Sequence, residues 1–173
     1  GRSSTEVLDE EALRFLVRAA KENAEIIEND DPQFLYSPKK GEVYAEVDGF
    51  RSENDAVTVR QRIELAERVE QACLREDGRV RRVEYNRVHT GADGIRIVNT
   101  EGLDVSFTAN PAYAYAVPIL ETEGGMIDGS AFQIEGAFRD LDPEKIAKEA
   151  VQEAVDKIGA RSIPSGGYPA VLK

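Results

Sequence analysis

One cysteine, one histidine and one methionine are all that this 173-residue chain holds of each. With Cys73 alone, no internal disulfide can close and no multi-cysteine metal site can be assembled within one copy. No apolar run approaches the roughly 20 residues that a membrane-spanning helix needs, and the N-terminus lacks the basic, apolar and small-residue regions of a signal peptide. A soluble, cytoplasmic chain without a membrane partner is expected. Positive charge is also in short supply: 22 Lys and Arg against 33 Asp and Glu leave a formal charge of −11. Affinity for a phosphate backbone requires clustered basic side chains, so no direct nucleic-acid contact is expected either.

What is present is an ordinary share of apolar residues, 41%, enough for one core and too much for a disordered chain. One domain is the first expectation and two small ones the second. Met126 is internal and residue 1 is Gly. The chain therefore reads as a piece of a longer protein, whose remaining chemistry would lie elsewhere in it.

Asp9 is placed to cap a helix whose apolar residues Leu13, Leu16, Val17, Ala20, Ala24 and Ile27 recur at three- and four-residue steps, with Asn29, Asp30, Asp31 and Pro32 ending it. From Gln33 to Asp55 no period is sustained, which predicts a long connection with a short strand at Glu42 to Val47. Thr58 caps a second predicted helix with a stripe of Ile63, Ala66, Val69, Ala72 and Cys73, broken at Gly78. From Arg79 to about Arg139 the period changes. Val80 to Thr90, Ile95 to Asn99, Leu103 to Thr108, Tyr113 to Glu121 and Met126 to Phe138 read as strands, separated by turn clusters at Gly91 to Gly94, Thr100 to Gly102 and Gly124-Gly125. Short turns imply an antiparallel meander. Gly129 and Gly136 read as bulges or points of close packing. Asp142, Pro143 and Glu144 open a third helix, closed by Gly159, whose inner face is Ile146, Ala147, Ala150, Val151, Ala154, Val155 and Ile158. Pro169 to Leu172 reads as the start of another strand. The class that follows is α+β: an antiparallel meander with the second and third helices on one face, the first helix packing there or belonging to an upstream unit.

Residue by residue, no self-sufficient active site emerges. His89, beside a turn, has the pKa of a general base or metal ligand but also the setting of an ordinary surface side chain, and no carboxylate spacing completes a zinc site around it. Cys73 lies on an apolar stripe and reads as core. Asp30 with Asp31, Glu121 with Glu123, and Asp140 with Asp142 are carboxylate pairs that read as solvated turns and a cap. Ser106, Ser130 and Ser165 lack a nucleophile elbow, and no phosphate-cradling glycine motif occurs. Tyr85, Tyr113, Tyr115 and Phe107 could form an aromatic platform for a peptide or a base, although at strand spacing half of them should be core.

The run Arg96-Ile97-Val98-Asn99-Thr100-Glu101-Gly102-Leu103-Asp104-Val105-Ser106 resembles the PmbA/TldD family, described as modulators of DNA gyrase and as peptide-processing metalloproteases. Phe138-Arg139-Asp140-Leu141-Asp142-Pro143-Glu144, Gly159-Ala160-Arg161 and Pro164 to Leu172 continue the likeness in register, and Arg62-Ile63-Glu64-Leu65-Ala66 with Arg79-Val80 fits it upstream. Ala137 after Gly136 departs from the pattern, where an arginine would be expected. The resemblance implies an internal segment: residues 1–55 as the end of the N-terminal family domain and a long connection, and residues 56–173 as the central α+β domain with the next domain's strand starting at 168–173. It implies no catalytic, cofactor-binding or metal-binding residue in this chain. Zinc would sit in the H-E-x-x-x-H motif of the TldD-type subunit, downstream of the Tyr-Pro-Ala-Val-Leu stretch. The sequence is similar to the PmbA (TldE) branch, whose members lack that motif and pair with a TldD-type subunit. The implied partners are such a subunit, in a homo- or heterodimer, and a peptide substrate.

Overall fold

The structure is a computed structural model and describes residues 1–28 and 33–170. Asn29, Asp30, Asp31 and Pro32, expected to end the first helix, and Val171 and Leu172 of the expected last strand lie outside the described residues. The chain divides into two compact units, Gly1–Lys40 with Asn99–Leu103, and Gly41–Val98 with Asp104–Lys173.

In the first unit, α1 (Glu10–Glu25) starts where Asp9 accepts a hydrogen bond from the Ala12 N–H at 2.8 Å, with Glu10 and Glu11 in the electropositive first turn. None of its residues is buried. Leu16 and Ala20 of the expected stripe are half-buried, whereas Leu13, Phe15 and Val17 stand exposed.

The second unit is α+β. Its β-strands are β1 (Val80–Thr90), β2 (Asp93–Val98), β3 (Asp104–Ala109), β4 (Ala112–Thr122), β5 (Gly125–Asp128) and β6 (Ala131–Glu135), all paired antiparallel. The pairings reduce to a three-arm meander. Thr90 opposes Ala112 and Asp93 opposes Ala109, so β1 runs on into β2, and β3 into β4, without a change of register. Likewise β5 and β6 lie end to end along β4, with Ile119 opposite Asp128 and Ala116 opposite Ala131. Gly91 to Gly94, read as a hairpin turn, is therefore no reversal: the chain passes Gly91-Ala92 and continues in the same direction. The two gaps in the ladders fall beside Pro111 and Pro118 of the central arm, where proline has no N–H to donate.

The true reversals are the other two clusters. At the ribbon tip, Asn99 Oδ1 accepts from the N–H groups of Glu101 and Leu103, both at 3.0 Å, and Gly102 takes φ +95°. Between β4 and β5 the Thr122 hydroxyl donates to the Gly125 carbonyl at 2.9 Å, and Gly125 takes φ +113°, which glycine adopts without the steric cost a Cβ imposes.

Two helices cover one face of this meander, as expected. The first is α3 (Val59–Glu76), which follows a four-residue helix, α2 (Ser52–Asp55), not expected within the long connection of Gln33 to Asp55. Thr58 and Gln61 close a capping box at its start. Its buried stripe is Leu65, Val69, Ala72 and Cys73, spaced i, i+4, i+7, i+8. Ile63, expected in that stripe, is 53% exposed because it lies two residues, about 200°, from Leu65. The second covering helix is α4 (Pro143–Asp156), capped by Asp142, whose carboxylate accepts from the Glu144 and Lys145 N–H groups. Ile146, Ala147, Ala150, Val151 and Ala154 are its buried face, while Ile158, expected there, falls beyond its end and is exposed.

These stripes meet Val80, Ala112, Ala114, Ala116, Leu120 and Ala131 of the sheet in one core. Gly129 allows the closest approach: a Cβ there would stand 2.1 Å from the Ala150 carbonyl oxygen of α4. Gly136 does not match the same expectation, since nothing lies within 4 Å of its would-be Cβ. Its carbonyl instead accepts from the Asn54 amide at 2.8 Å. Glu42 to Val47 forms no strand; it runs beside Ile95, Ile97 and Phe107 of the β2–β3 ribbon without joining the ladder.

Buried polar pins lock the base of the ribbon. Asn110 is fully buried; its Oδ1 accepts from the Arg51 N–H at 2.6 Å and its Nδ2 donates to the Arg51 carbonyl at 2.7 Å. Asn54 donates to the carbonyls of Asn110 and Gly136 and accepts from the Phe138 N–H. All these buried amide groups are satisfied, which is the condition for polar groups to be tolerated there.

Candidate functional site

The segment Ala112-Tyr113-Ala114-Tyr115-Ala116 alternates strictly, so a strand through it puts methyl groups on one side and rings on the other. The alanines are buried under the helices; the tyrosines face away and are half-buried. Register fixes their neighbours. Tyr113 lies between His89 and Ile134, and Tyr115 between Arg87 and Phe132, while Tyr85 faces Val117. The His89 and Tyr113 rings stack with centroids 4.9 Å apart, and Tyr113 meets Phe132 at 5.4 Å. Tyr85 is 65% exposed and Phe132 55%, so the face is open. Tyr85, Arg87, Tyr113, Tyr115 and Phe132, with Glu84 and Asn86, line a concavity of about 870 Å³.

The platform is anchored from behind. Asn86, pointing to the helix side, donates to the Ala66 carbonyl of α3 at 2.7 Å, which holds the middle of β1 against that helix. Of the charged residues nearby, Glu84 is paired with Arg82 at 2.7 Å, and Arg81 with Glu121 at 2.6 Å.

Three of the four residues named as a platform, Tyr85, Tyr113 and Tyr115, are thus brought together. Phe107 is not: it sits on β3, its ring against Gly49, where an added Cβ would stand 2.6 Å from the ring. Phe132 and His89 complete the platform instead. The signal for Phe132 was available in its alternation with Ala131 and Gln133, but the aromatic partners of a strand become visible only once its register is known.

The remaining candidates disperse. Cys73 is fully buried in the core, and burial pushes its thiol up to about 11, away from the reactive thiolate. Glu123 is exposed in its turn, and Asp142 serves as a helix cap. Ser130 donates its N–H and its hydroxyl to Glu153 of α4, which holds that carboxyl below its usual range and ties the Gly129-Ser130 gap to the helix. Ser106 and Ser165 are exposed. Among the described residues no group of three or more His, Cys, Asp or Glu is placed to hold a metal ion. Among them, too, no helix is long and apolar enough to cross a membrane.

Residues 52–158 match the family model described as the PmbA/TldA metallopeptidase central domain. That match covers more than half of the chain, and this chain belongs to the PmbA/TldD family. Among solved structures, a candidate modulator of a DNA gyrase from Thermotoga maritima is 25% identical over 94% of this chain and 36% of its own, with a TM-score of 0.64. A candidate modulator of DNA gyrase from Bacteroides thetaiotaomicron superposes with a TM-score of 0.70 at 18% identity, over 94% of this chain and 38% of its own. TldE from Thermococcus kodakarensis does so at 0.61 and 18%, over 88% and 34%. The chain spans little more than a third of the length of these relatives. No curated protein matches it in sequence. The metal that the metallopeptidase description implies does not fit the residues present: the only histidine stacks on a tyrosine, and no donor cluster accompanies it among the described residues.

Proposed function

We propose that this chain is an internal, non-catalytic segment of a PmbA/TldD-type metallopeptidase that processes or degrades peptides, and that its meander forms part of the wall facing the substrate. The observation that carries this reading is the open ring-lined face built on β1, β4 and β6. A fold needs its helix-covered face, but nothing in the core requires four aromatic rings on the other side. Flat rings that keep a polar tip suit extended peptides, whose side chains are varied and whose backbone stays polar. In the same reading the zinc belongs to a TldD-type subunit of the family, and the chain lies nearer the PmbA (TldE) branch. Residues 1–55 end an N-terminal domain, and residues 56–173 form the central domain and reach the start of the next at 168–173.

Photo-crosslinking a substrate peptide to the intact complex tests this. Labels inside residues 79–139 are expected, whereas a complex that cleaves the peptide while leaving those residues unlabelled would overturn it. The isolated chain should show no proteolysis with or without added zinc; turnover that a chelator abolishes would contradict the non-catalytic assignment.

The second reading is a purely structural or protein-interaction domain, serving subunit pairing or gyrase modulation without peptide contact. It is favoured by the β2–β3 ribbon, where Ile95, Ile97 and Val98 are all more than half exposed. Two-stranded ribbons with bare apolar residues are marginal alone and gain from a partner surface.

A further inference from the structure

Four arginines lie on β1 or at its start, and three of them are committed. Arg79 pairs with Asp77 at 2.7 Å, Arg81 with Glu121 at 2.6 Å and Arg82 with Glu84 at 2.7 Å. Arg87 has no hydrogen-bond or ion-pair partner among the described residues, although it is exposed on a chain with 33 carboxylates. It stands at the centre of the aromatic concavity, opposite Tyr115, two residues from Tyr85 on one side and two from His89 on the other.

We propose that this face selects extended peptides with an acidic side chain flanked at i−2 and i+2 by apolar or aromatic ones, Arg87 holding the carboxylate. The proposal rests on the peptide-wall reading above and adds the chemistry of what is read. Same-side residues of an extended peptide recur at the spacing of same-side residues on a strand, roughly 6.6 Å. A peptide lying along β1 with its carboxylate over Arg87 therefore sets its two flanking side chains over Tyr85 and over the His89–Tyr113 stack. The rings displace water from the guanidinium, and a charge-assisted, bidentate bond gains strength as local polarity falls. The overall charge of −11 does not oppose this at contact range, because repulsion between exposed charges is screened beyond about 8 Å at physiological salt.

The test is fluorescence anisotropy with the 173-residue chain and three labelled peptides, Phe-Gly-Glu-Gly-Phe and its Gln and Lys counterparts, at about physiological salt. The Glu peptide is expected to bind about five- to tenfold more tightly than the Gln peptide, the scale of one net hydrogen bond. Arg87→Met, which keeps much of the apolar stem, should abolish that preference while both peptides still bind; Arg87→Lys should retain part of it, and Arg87→Glu should turn it toward the Lys peptide. Circular dichroism establishes that each variant is folded. Equal binding of the Glu and Gln peptides by the unaltered chain, or a preference that survives in Arg87→Met, overturns the proposal and leaves the peptide-wall reading standing. Failure of all three peptides to bind also overturns the proposal, while the peptide-wall reading stands or falls with the crosslinking of the intact complex.

Discussion

The two sides of the central arm are written into the same eleven residues of β4 and are built to opposite requirements. On the helix side, Ala112, Ala114 and Ala116 present only methyl groups, which lets α3 and α4 come close enough to seal Leu65, Leu120 and Ile146 almost completely. On the other side the same pleat carries Tyr113 and Tyr115, framed by Tyr85 and Phe132, and leaves them accessible. The difference separates what the fold needs from what it displays: density on one side, and large amphipathic surface on the other.

Leu65→Ala on the closed side should have the largest effect. It removes a side chain with 1% exposure from the centre of the core and is expected to cost about 2–5 kcal/mol, read as a lowered urea midpoint at unchanged slope. Tyr85→Ala on the open side should stay within about 0.5 kcal/mol in the same experiment. Comparable losses for the two would erase the contrast between the sides.

Asn110→Ala comes next. The change leaves the Arg51 N–H and carbonyl without their partner at a buried position, and a loss of about 2–3 kcal/mol is expected by denaturant titration. Gly129→Ala should follow at about 1–3 kcal/mol, because the new methyl group collides with the backbone of α4 rather than with a movable side chain. A neutral result there would mean that the helix rides on the sheet more loosely than its spacing shows.

A smaller and pH-confined effect than those of the core and backbone changes lies outside both sides, at the turn into β1. Hydrogen bonds from the Arg79 side chain and N–H hold the Asp77 carboxyl down at about 2, below the usual aspartate range. The folded chain therefore binds that proton less readily than the unfolded one. The resulting stability is present above about pH 4 and is lost as the pH falls through about 2. Asp77→Asn should flatten the acid limb of stability in that window alone, by no more than about 1 kcal/mol for a pair so near solvent.

Much of the fold could be read along the chain because its signals are local. The Asp9, Thr58 and Asp142 caps and the ribbon tip at Thr100 to Gly102 depend on neighbours two to four residues away, and all three caps formed as expected. Gly91 to Gly94 misled because glycine-rich composition marks a relaxed backbone without saying whether the chain turns back. The Ile63 stripe failed for a related reason: at three- and four-residue steps, two overlapping phases of one helix compete, and only the tertiary partner chooses Leu65. The Asn54 and Asn110 pins were illegible since their partners lie 55 and more residues away. Of the platform, the tyrosines were visible as an alternating strand, while the inclusion of Phe132 and His89 and the exclusion of Phe107 depended on register.

The collinear passage of β1 into β2, with Asn110 clamping the returning arm at the same level, makes the ribbon a lever mounted on a fixed pivot. Lengthening or shortening it by matched residue pairs near Asn99 to Leu103 would alter how far the lever reaches without altering the pairing below the clamp.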